Sequence, residues 1–323
     1  MRAITVSEPG APEQIQWTEV ETPSPAAGEV LVKTIAVGVN RADLLQRQGQ
    51  YPPPKGISDV MGLEATGTVV EIGEGAEGVA VGDEVVCLLA GGGYAEYFVV
   101  PAGQCVPVPQ GVDVVSAAQL MEVAATVVSN MDGVHLTGGE TFLVHGGSGG
   151  IGGFAIQYAK ALGCTVLTTA GSEKKLEHCR EIGADVAIDY HDDWVAAVKE
   201  ATGRRGADVI LDVMGAKYLE LNVDALATEG RLVIIGMQGG VKGTLNIGKL
   251  LSKRGVVTAT SLRFRPVEEK VAICRRVAEV VWPMVADGRI KLAPETRIPL
   301  AEARRAHELL GSGENLGKII LVA

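Results

Sequence analysis

The chain has 323 residues, 47% of them hydrophobic and 21% charged, with 29 Lys and Arg against 39 Asp and Glu. At roughly 100–200 residues per domain that length predicts two domains, and a net charge of −10 excludes a dedicated nucleic-acid binder, which needs a basic face to displace counterions. Glycine is in excess, 42 residues where average usage supplies about 7%, and with no collagen-like period these glycines are expected at turns and close backbone approaches. The first 120 residues carry short β-branched runs broken by Gly and Pro, over 29–33, 67–71, 84–86 and 97–101, which predict a small all-β, barrel-like domain. From about Ala117 the texture changes. Strands expected over 141–145, 165–169, 186–188, 209–213, 231–235 and 256–260 alternate with helices over 151–162, 173–182, 194–202 and 218–227, the pattern of a parallel, doubly wound sheet. The tail predicts helices over 267–285 and 300–310 and a closing strand over 318–322 that rejoins the first domain. The expected division is 1–120 completed by 265–323, and 121–264.

Five cysteines (Cys87, Cys105, Cys164, Cys179 and Cys274) are odd in number and never spaced as CxxC, so free thiols in a reducing compartment are expected. No secretory signal follows Met1 and no apolar run approaches the ~18 residues of a membrane span. A soluble, cytoplasmic protein is the expectation.

The most informative stretch is Phe142-Leu143-Val144-His145-Gly146-Gly147-Ser148-Gly149-Gly150-Ile151-Gly152-Gly153. Gly147, Gly149 and Gly152 spell G-x-G-x-x-G between an expected strand and an expected helix, the dinucleotide fingerprint. In it the first glycine permits the turn, the second lets a pyrophosphate approach the backbone, and the third lets helix and strand pack closely. Gly146, Ser148 and Gly150 also spell the G-x-S-x-G elbow of α/β-hydrolases, and Asp212 and His307 follow in triad order. That reading is the weaker one, because a β domain precedes the motif and His307 falls in a helical stretch. An NAD site usually places a carboxylate ~20 residues beyond the motif to hold the ribose 2′-hydroxyl. Here the second strand runs into Thr169-Ala170-Gly171-Ser172, where Ser172 can donate to a 2′-phosphate and Lys174 or Lys175 can neutralise it. NADPH is the expected cofactor. Two alternatives stay open: Ser172 capping the next helix, or Glu173 reaching the ribose if the turn differs by one residue.

Asn40-Arg41-Ala42-Asp43-Leu44-Leu45-Gln46-Arg47-Gln48-Gly49-Gln50-Tyr51-Pro52 resembles the N-x-x-D-x-x-x-R-x-G-x-Y-P signature of quinone oxidoreductases. The stretches 62–69, 82–85, 250–255 and 315–318 extend the likeness over essentially the whole chain. The sequence is thus similar to the zeta-crystallin-like, zinc-free NADPH:quinone oxidoreductase branch of the medium-chain dehydrogenase/reductase superfamily, nearest its tumour-suppressor-induced type. That resemblance implies an α/β protein with a GroES-like β-barrel domain and a Rossmann doubly wound parallel sheet, an active cleft between them, and a homodimer or homotetramer. Zinc alcohol dehydrogenases of the superfamily have Cys where this chain has Asn40 and His where it has Leu63, so two of three catalytic zinc ligands are missing. No metal site is expected, and the five histidines are read as surface or packing residues.

Hydride transfer to a quinone or activated alkene needs no Lewis acid, because the developing anion is delocalised. By resemblance, Asn40 and Tyr51 line the acceptor site as the catalytic residues. Thr126, Gly147, Gly149, Gly150, Ile151, Gly152, Gly171, Ser172, Lys175, Tyr190, Gly236, Met237, Gln238, Asn315 and Lys318 hold the cofactor. Asp43 and Arg47, four residues apart, are expected to form a helix ion pair. Relatives differ at Met121 (proline) and Leu45 (a second tyrosine), which bears on the next helix start and on the acceptor pocket. The function expected is quinone reduction. The alternatives are reduction of α,β-unsaturated aldehydes or ketones, or a low-turnover NADPH-binding structural protein.

Overall fold

The structure, a computed structural model, describes residues 1–323. In chain order the first elements are β1 (Arg2–Val6), β2 (Ile15–Glu19), β3 (Glu29–Gly38), α1 (Arg41–Arg47), β4 (Glu64–Ile72), β5 (Glu84–Leu88), β6 (Tyr97–Pro101), β7 (Cys105–Pro107), α2 (Val114–Ala117) and α3 (Met121–Gly133). The α/β stretch follows with β8 (Thr141–His145), α4 (Gly150–Ala161), β9 (Thr165–Ala170), α5 (Glu173–Glu181), β10 (Val186–Asp189), α6 (Trp194–Ala201), β11 (Ala207–Asp212), α7 (Leu219–Ala225), β12 (Leu226–Ile234), α8 (Ile247–Lys253) and β13 (Val256–Ala259). The tail forms α9 (Val267–Ala286), β14 (Glu295–Pro299), α10 (Ala303–Ser312) and β15 (Lys318–Val322).

Two compact units result. One comprises Met1–Ala125, Leu262–Gly288 and Leu292–Ala323; the other Thr126–Ser261 and Arg289–Lys291, so the division falls inside α3. In the first unit a seven-stranded sheet runs β14-β15-β3-β4-β5-β7, with β6 also paired to β3. The closing strand β15 pairs antiparallel with β3, Leu321 opposite Val37, which places the start of β15 beside the start of α1. Alternating apolar side chains bury Val30, Val32, Val69, Val85, Phe98 and Ile319 in one core. Each such side chain contributes about 1.5–3 kcal/mol on leaving water.

The second unit holds six parallel strands in the order β10-β9-β8-β11-β12-β13. Numbered within the unit this is 3-2-1-4-5-6, so the chain reverses direction across the sheet between β8 and β11, the crevice where such sheets bind ligands. One expected element differs. The helix read over 218–227 stops at Ala225, and Leu226 and Ala227 already belong to β12. Glu229, at φ +62°, and a register shift between Ala207 and Val209 accommodate the extra residues as a bulge. No helix is long and apolar enough to cross a membrane.

Candidate active-site residues

In the α/β unit the turn after β8 is built from backbone. Gly146, at φ +74°, reverses the chain, and the amides of Gly146 and Gly147 both donate to Thr169 O at 3.1 and 3.0 Å. A Cβ on Gly147 would collide with Thr168 Oγ1, and one on Gly152 with Gly146 O, so the first and third glycines are demanded by packing. Gly149 is different. At φ −87° it is unstrained, and a Cβ there would meet nothing nearer than Gly146 O at 3.5 Å. It is the N-cap of α4 and has no side chain to cap the first-turn amides of Gly150, Ile151 and Gly152. Nothing inside the protein requires glycine at 149.

The second strand end supplies the neighbouring surface. A Cβ on Gly171 would strike the Tyr190 hydroxyl and ring, so Tyr190 packs on bare backbone, 44% exposed and 4.5 Å from the His191 ring. Ser172 occupies the N-cap of α5, yet its hydroxyl makes no capping bond. Glu173 turns along its own helix to Arg180 at 2.8 Å. Lys174 and Lys175 follow in the same first turn. The capping alternative therefore lacks its hydrogen bond, while Glu173 is engaged by Arg180.

Gly236, Met237 and Gln238 form the loop at the carboxyl end of β12, with Met237 exposed. The loop is pinned by Gln238 N to Val213 O and Gly239 N to Met214 O, 3.2 and 2.7 Å. Beneath it Asp212 accepts the amides of Met214 and Gly215, and burial pushes its carboxyl up to about 6 despite those bonds. Thr126 is buried in α3, where its carbonyl accepts Asn130 Nδ2, and Asn130 Oδ1 in turn accepts Thr260. All six parallel strands point the same way, so the loops after β8, β9 and β12 share one edge of the sheet.

In the β-rich unit the corresponding residues are held by side chains. Asn40 is 8% exposed at the N-cap of α1. Its Nδ2 donates to Glu64 Oε1 at 3.0 Å and Gly38 O at 3.3 Å, and its Oδ1 accepts Lys318 Nζ at 2.6 Å. Lys318 also pairs with Glu64 Oε1 at 2.7 Å, and Glu64 Oε2 accepts the amide of Glu122. Acceptor on one side and ammonium on the other fix which way the Asn40 amide faces. A Cβ on Gly38 would collide with Glu64 and with Ala118 O, so this glycine admits the carboxylate to the backbone. Asn315, in the loop before β15, donates to Gly317 O at 3.1 Å.

Tyr51 stands in a second cluster that the sequence did not reveal. Arg263, 4% exposed, donates Nε to Ala90 O, Nη1 to Tyr51 O and Nη2 to Gln46 Oε1, at 2.7, 3.0 and 2.7 Å. Its guanidinium lies 5.0 Å from the Tyr51 ring centroid, and Phe264 meets that ring edge-on. The only forward signal was an arginine beside an aromatic residue at the end of the α/β stretch.

The expected Asp43–Arg47 ion pair is absent. Asp43 is fully buried and accepts Asn40 N at 2.8 Å, Gly62 N at 3.2 Å and the Tyr94 hydroxyl at 3.1 Å, so three other donors occupy its oxygens. Burial nonetheless pushes this carboxyl up to about 6. The hydrolase triad is not assembled: Asp212 accepts the amides of Met214 and Gly215 and a side-chain bond from Asn222, and His307 is buried in α10 with Nε2 3.3 Å from Tyr94 Oη. His145 bridges Thr169 and Asn222 as a packing residue, its ring edge-on to Trp194 and Tyr218. No group of three or more His, Cys, Asp or Glu side chains is arranged to hold a metal ion.

A glycine-rich turn at the switch point of a six-stranded parallel sheet, carried on the same chain as a β-rich unit, defines a two-unit, dinucleotide-dependent dehydrogenase/reductase. Residues 150–274 match the family described as zinc-binding dehydrogenase, and residues 26–110 the alcohol dehydrogenase GroES-like domain. A quinone oxidoreductase of Pseudomonas aeruginosa is 32% identical over 97% of both chains, and a 2-haloacrylate reductase of a Burkholderia species is 30% identical over 99% of this chain and 98% of its own. The crystal structure of Escherichia coli quinone oxidoreductase complexed with NADPH superposes with a TM-score of 0.88, at 29% identity over 100% of both chains. The chain belongs to the quinone oxidoreductase family of the medium-chain dehydrogenase/reductase superfamily, whose members are NADP(H)-binding oxidoreductases.

Proposed function

We propose that this protein is an NADPH-dependent, zinc-independent quinone reductase. The observation that carries the reading is Asn40: the position that holds a zinc-binding thiolate in the alcohol dehydrogenases is here an amide whose two N–H groups and one carbonyl lone pair are already engaged by Glu64, Gly38 and Lys318. Such a group binds no metal, and its remaining valence is one acceptor lone pair on Oδ1. Bound NADPH supplies a hydride from its nicotinamide ring. The residues of the α/β unit do the holding: the amides at 149–152 take the pyrophosphate, Ser172 and Lys175 the 2′-phosphate, and Tyr190 flanks the adenine. Gly236, Met237 and Gln238 face the nicotinamide, with Thr126 and Asn315 as further cofactor contacts. Lys318 acts through Asn40, whose orientation it sets. Asn40 then receives a hydrogen bond from a hydroxyl, and Tyr51, clamped by Arg263, presents a rigid aromatic wall to a planar acceptor.

The 2-haloacrylate reductase relative favours a second reading, in which the acceptor is an activated alkene. NADPH oxidation followed with 9,10-phenanthrenequinone and with 2-alkenals, before and after 1,10-phenanthroline, separates the two. Quinone-dependent turnover that survives the chelator is expected. Loss of activity to the chelator overturns zinc independence, and turnover with enals alone favours the second reading. Lys175→Ala should weaken NADPH binding about tenfold and leave NADH binding nearly unchanged, the contribution of one phosphate-directed charge.

We further read the protein as a cytoplasmic homodimer or homotetramer. The reading rests on the open edge strand β13 with Val256 exposed, and on the exposed Ile247 and Leu251 of the adjoining α8. Light scattering that gives a monomer mass would overturn it.

A further inference from the structure

Of the four phenylalanines in the chain, Phe98, Phe142 and Phe154 are buried, and Phe264 is 53% exposed. A single exposed apolar side chain is ordinary, but this one is fixed from both sides. Leu262 O accepts Arg265 N at 3.2 Å, so Arg263 and Phe264 are the two central residues of a tight turn between β13 and α9. On one side Arg263 reaches inward to Ala90 O, Tyr51 O and Gln46 Oε1. On the other, Arg265 pairs with Glu269 at 2.8 Å in the first turn of α9, where Pro266 is the N-cap. A turn anchored in this way has given up most of its conformational freedom before any ligand arrives.

The Phe264 ring stands at 89° to the ring of Tyr51, with centroids 5.7 Å apart. Gln46 ties the two together: its Oε1 takes Arg263, and its Nε2 donates to Asp59 O at 2.9 Å, in the loop that Tyr51 begins. Two aromatic walls at a right angle make a corner. A planar molecule stacked on one wall points its edge at the other, and both of those are favoured aromatic geometries. A fused ring system covers both walls, whereas a single ring leaves part of the corner wet. The exposed Phe264 therefore has a use that its position in a turn does not by itself supply.

We propose that Phe264 is a specificity-determining residue of the acceptor site, a second aromatic wall that selects planar acceptors of two or three fused rings over single-ring ones. The inference rests on the reading of Tyr51 as an acceptor contact and adds to it a residue from a different element, the turn before α9. Phe264 touches the ring system as a whole rather than the carbon that takes the hydride. Its contact is the same before and during the transfer, so it acts on KM and leaves kcat alone.

The test compares the full-length wild type with Phe264→Ala, using NADPH and two acceptors, 9,10-phenanthrenequinone with three fused rings and 2-methyl-1,4-benzoquinone with one. In the variant KM for the three-ring acceptor should rise about tenfold with kcat retained, while KM for the one-ring acceptor changes by less than about twofold. Phe264→Trp keeps an aromatic wall and should restore the three-ring KM. A merely structural role would move both acceptors together and lower the melting temperature. Should Phe264→Ala fail to fold, Phe264→Leu keeps the apolar bulk without the ring and should show the same split. A second measurement uses neither NADPH nor turnover. In calorimetric titration 9-phenanthrol, which has the three rings and a hydroxyl, should bind wild type saturably and Phe264→Ala about tenfold more weakly. Equal losses with both quinones, no saturable binding of 9-phenanthrol, or binding that ignores Phe264→Ala overturns the proposal. Binding of 9-phenanthrol that depends on Phe264, in a protein that reduces no quinone, supports the aromatic wall and overturns the reductase reading instead, so the two failures are distinguishable.

Discussion

The turn after β8 and the cluster around Asn40 are both polar and both lie at the edge of a sheet, but they are built from different material. The turn is backbone: glycines that packing demands at 147 and 152, a glycine at 149 that packing does not demand, and amides left over at a helix N-terminus. The cluster is side chain: an amide, an ammonium and a carboxylate, buried together and bonded to one another. A backbone site is cheap to hold and open to an anion. A side-chain site has to be neutralised internally, and its rigidity comes from that neutralisation.

Removing one charge from the side-chain cluster tests its half of this contrast most severely. In Lys318→Met the Glu64 carboxylate keeps two neutral donors but loses its cation, and breaking a buried pair this way costs about 3–5 kcal/mol. Urea denaturation should show a loss of that size, and Glu64→Leu combined with Lys318→Met should recover most of it. A single variant that loses less than about 1 kcal/mol would mean that Asn40 is not held as described.

The two regions also differ in how far the sequence reveals them. The glycine turn is local: strand, turn and helix are consecutive, so periodicity and motif locate it without knowledge of the fold. Asn40 was visible, but its partners were not, since Glu64 lies 24 residues away and Lys318 278. Arg263 reaches Tyr51 across 212 positions and Gln46 across 217. Only the antiparallel pairing of β15 with β3 brings Lys318 to Asn40, and no local spacing encodes that register. The misread pair has the same origin. The i, i+4 rule for Asp43 and Arg47 describes helix surfaces, whereas both side chains point inward, where partners come from other elements.

Within the backbone site, two alanines should separate packing from binding. Gly152→Ala sets a methyl against Gly146 O and should cost about 1–3 kcal/mol of stability, because the colliding atom is main chain and cannot swing away. Gly149→Ala meets no such atom and should stay within about 1 kcal/mol of wild type. It should nonetheless weaken NADPH at least about tenfold by crowding the approach to the helix N-terminus. Thermal melts with a fluorescence titration of NADPH measure both effects. Gly149→Ala binding NADPH as wild type does would leave that glycine unexplained.

A pH profile probes what the two units share. Each buries one imidazole held neutral, His307 at about 3 and His145 at about 4, mainly by burial. Each also buries one carboxyl raised to about 6, Asp43 and Asp212, again mainly by burial. Below pH 6.5 the unfolded chain takes up imidazole protons that the folded chain refuses, so each histidine lowers stability on acidification by about 1.4 kcal/mol per pH unit, down to its folded value. Each aspartate does the reverse: between pH 6 and 3.8 the folded chain holds a proton the unfolded chain has released, so acidification stabilises at a similar slope. The opposing pairs leave these four groups nearly balanced between pH 6 and 4. His307→Gln keeps a donor toward Tyr94 and removes one imidazole, exposing the carboxyl contribution. The stability of the variant relative to wild type should therefore climb by about 1.4 kcal/mol for each unit of acidification below pH 6.5. Parallel urea-midpoint profiles for the two proteins over pH 4–6.5 would show that His307 accepts a proton inside the fold.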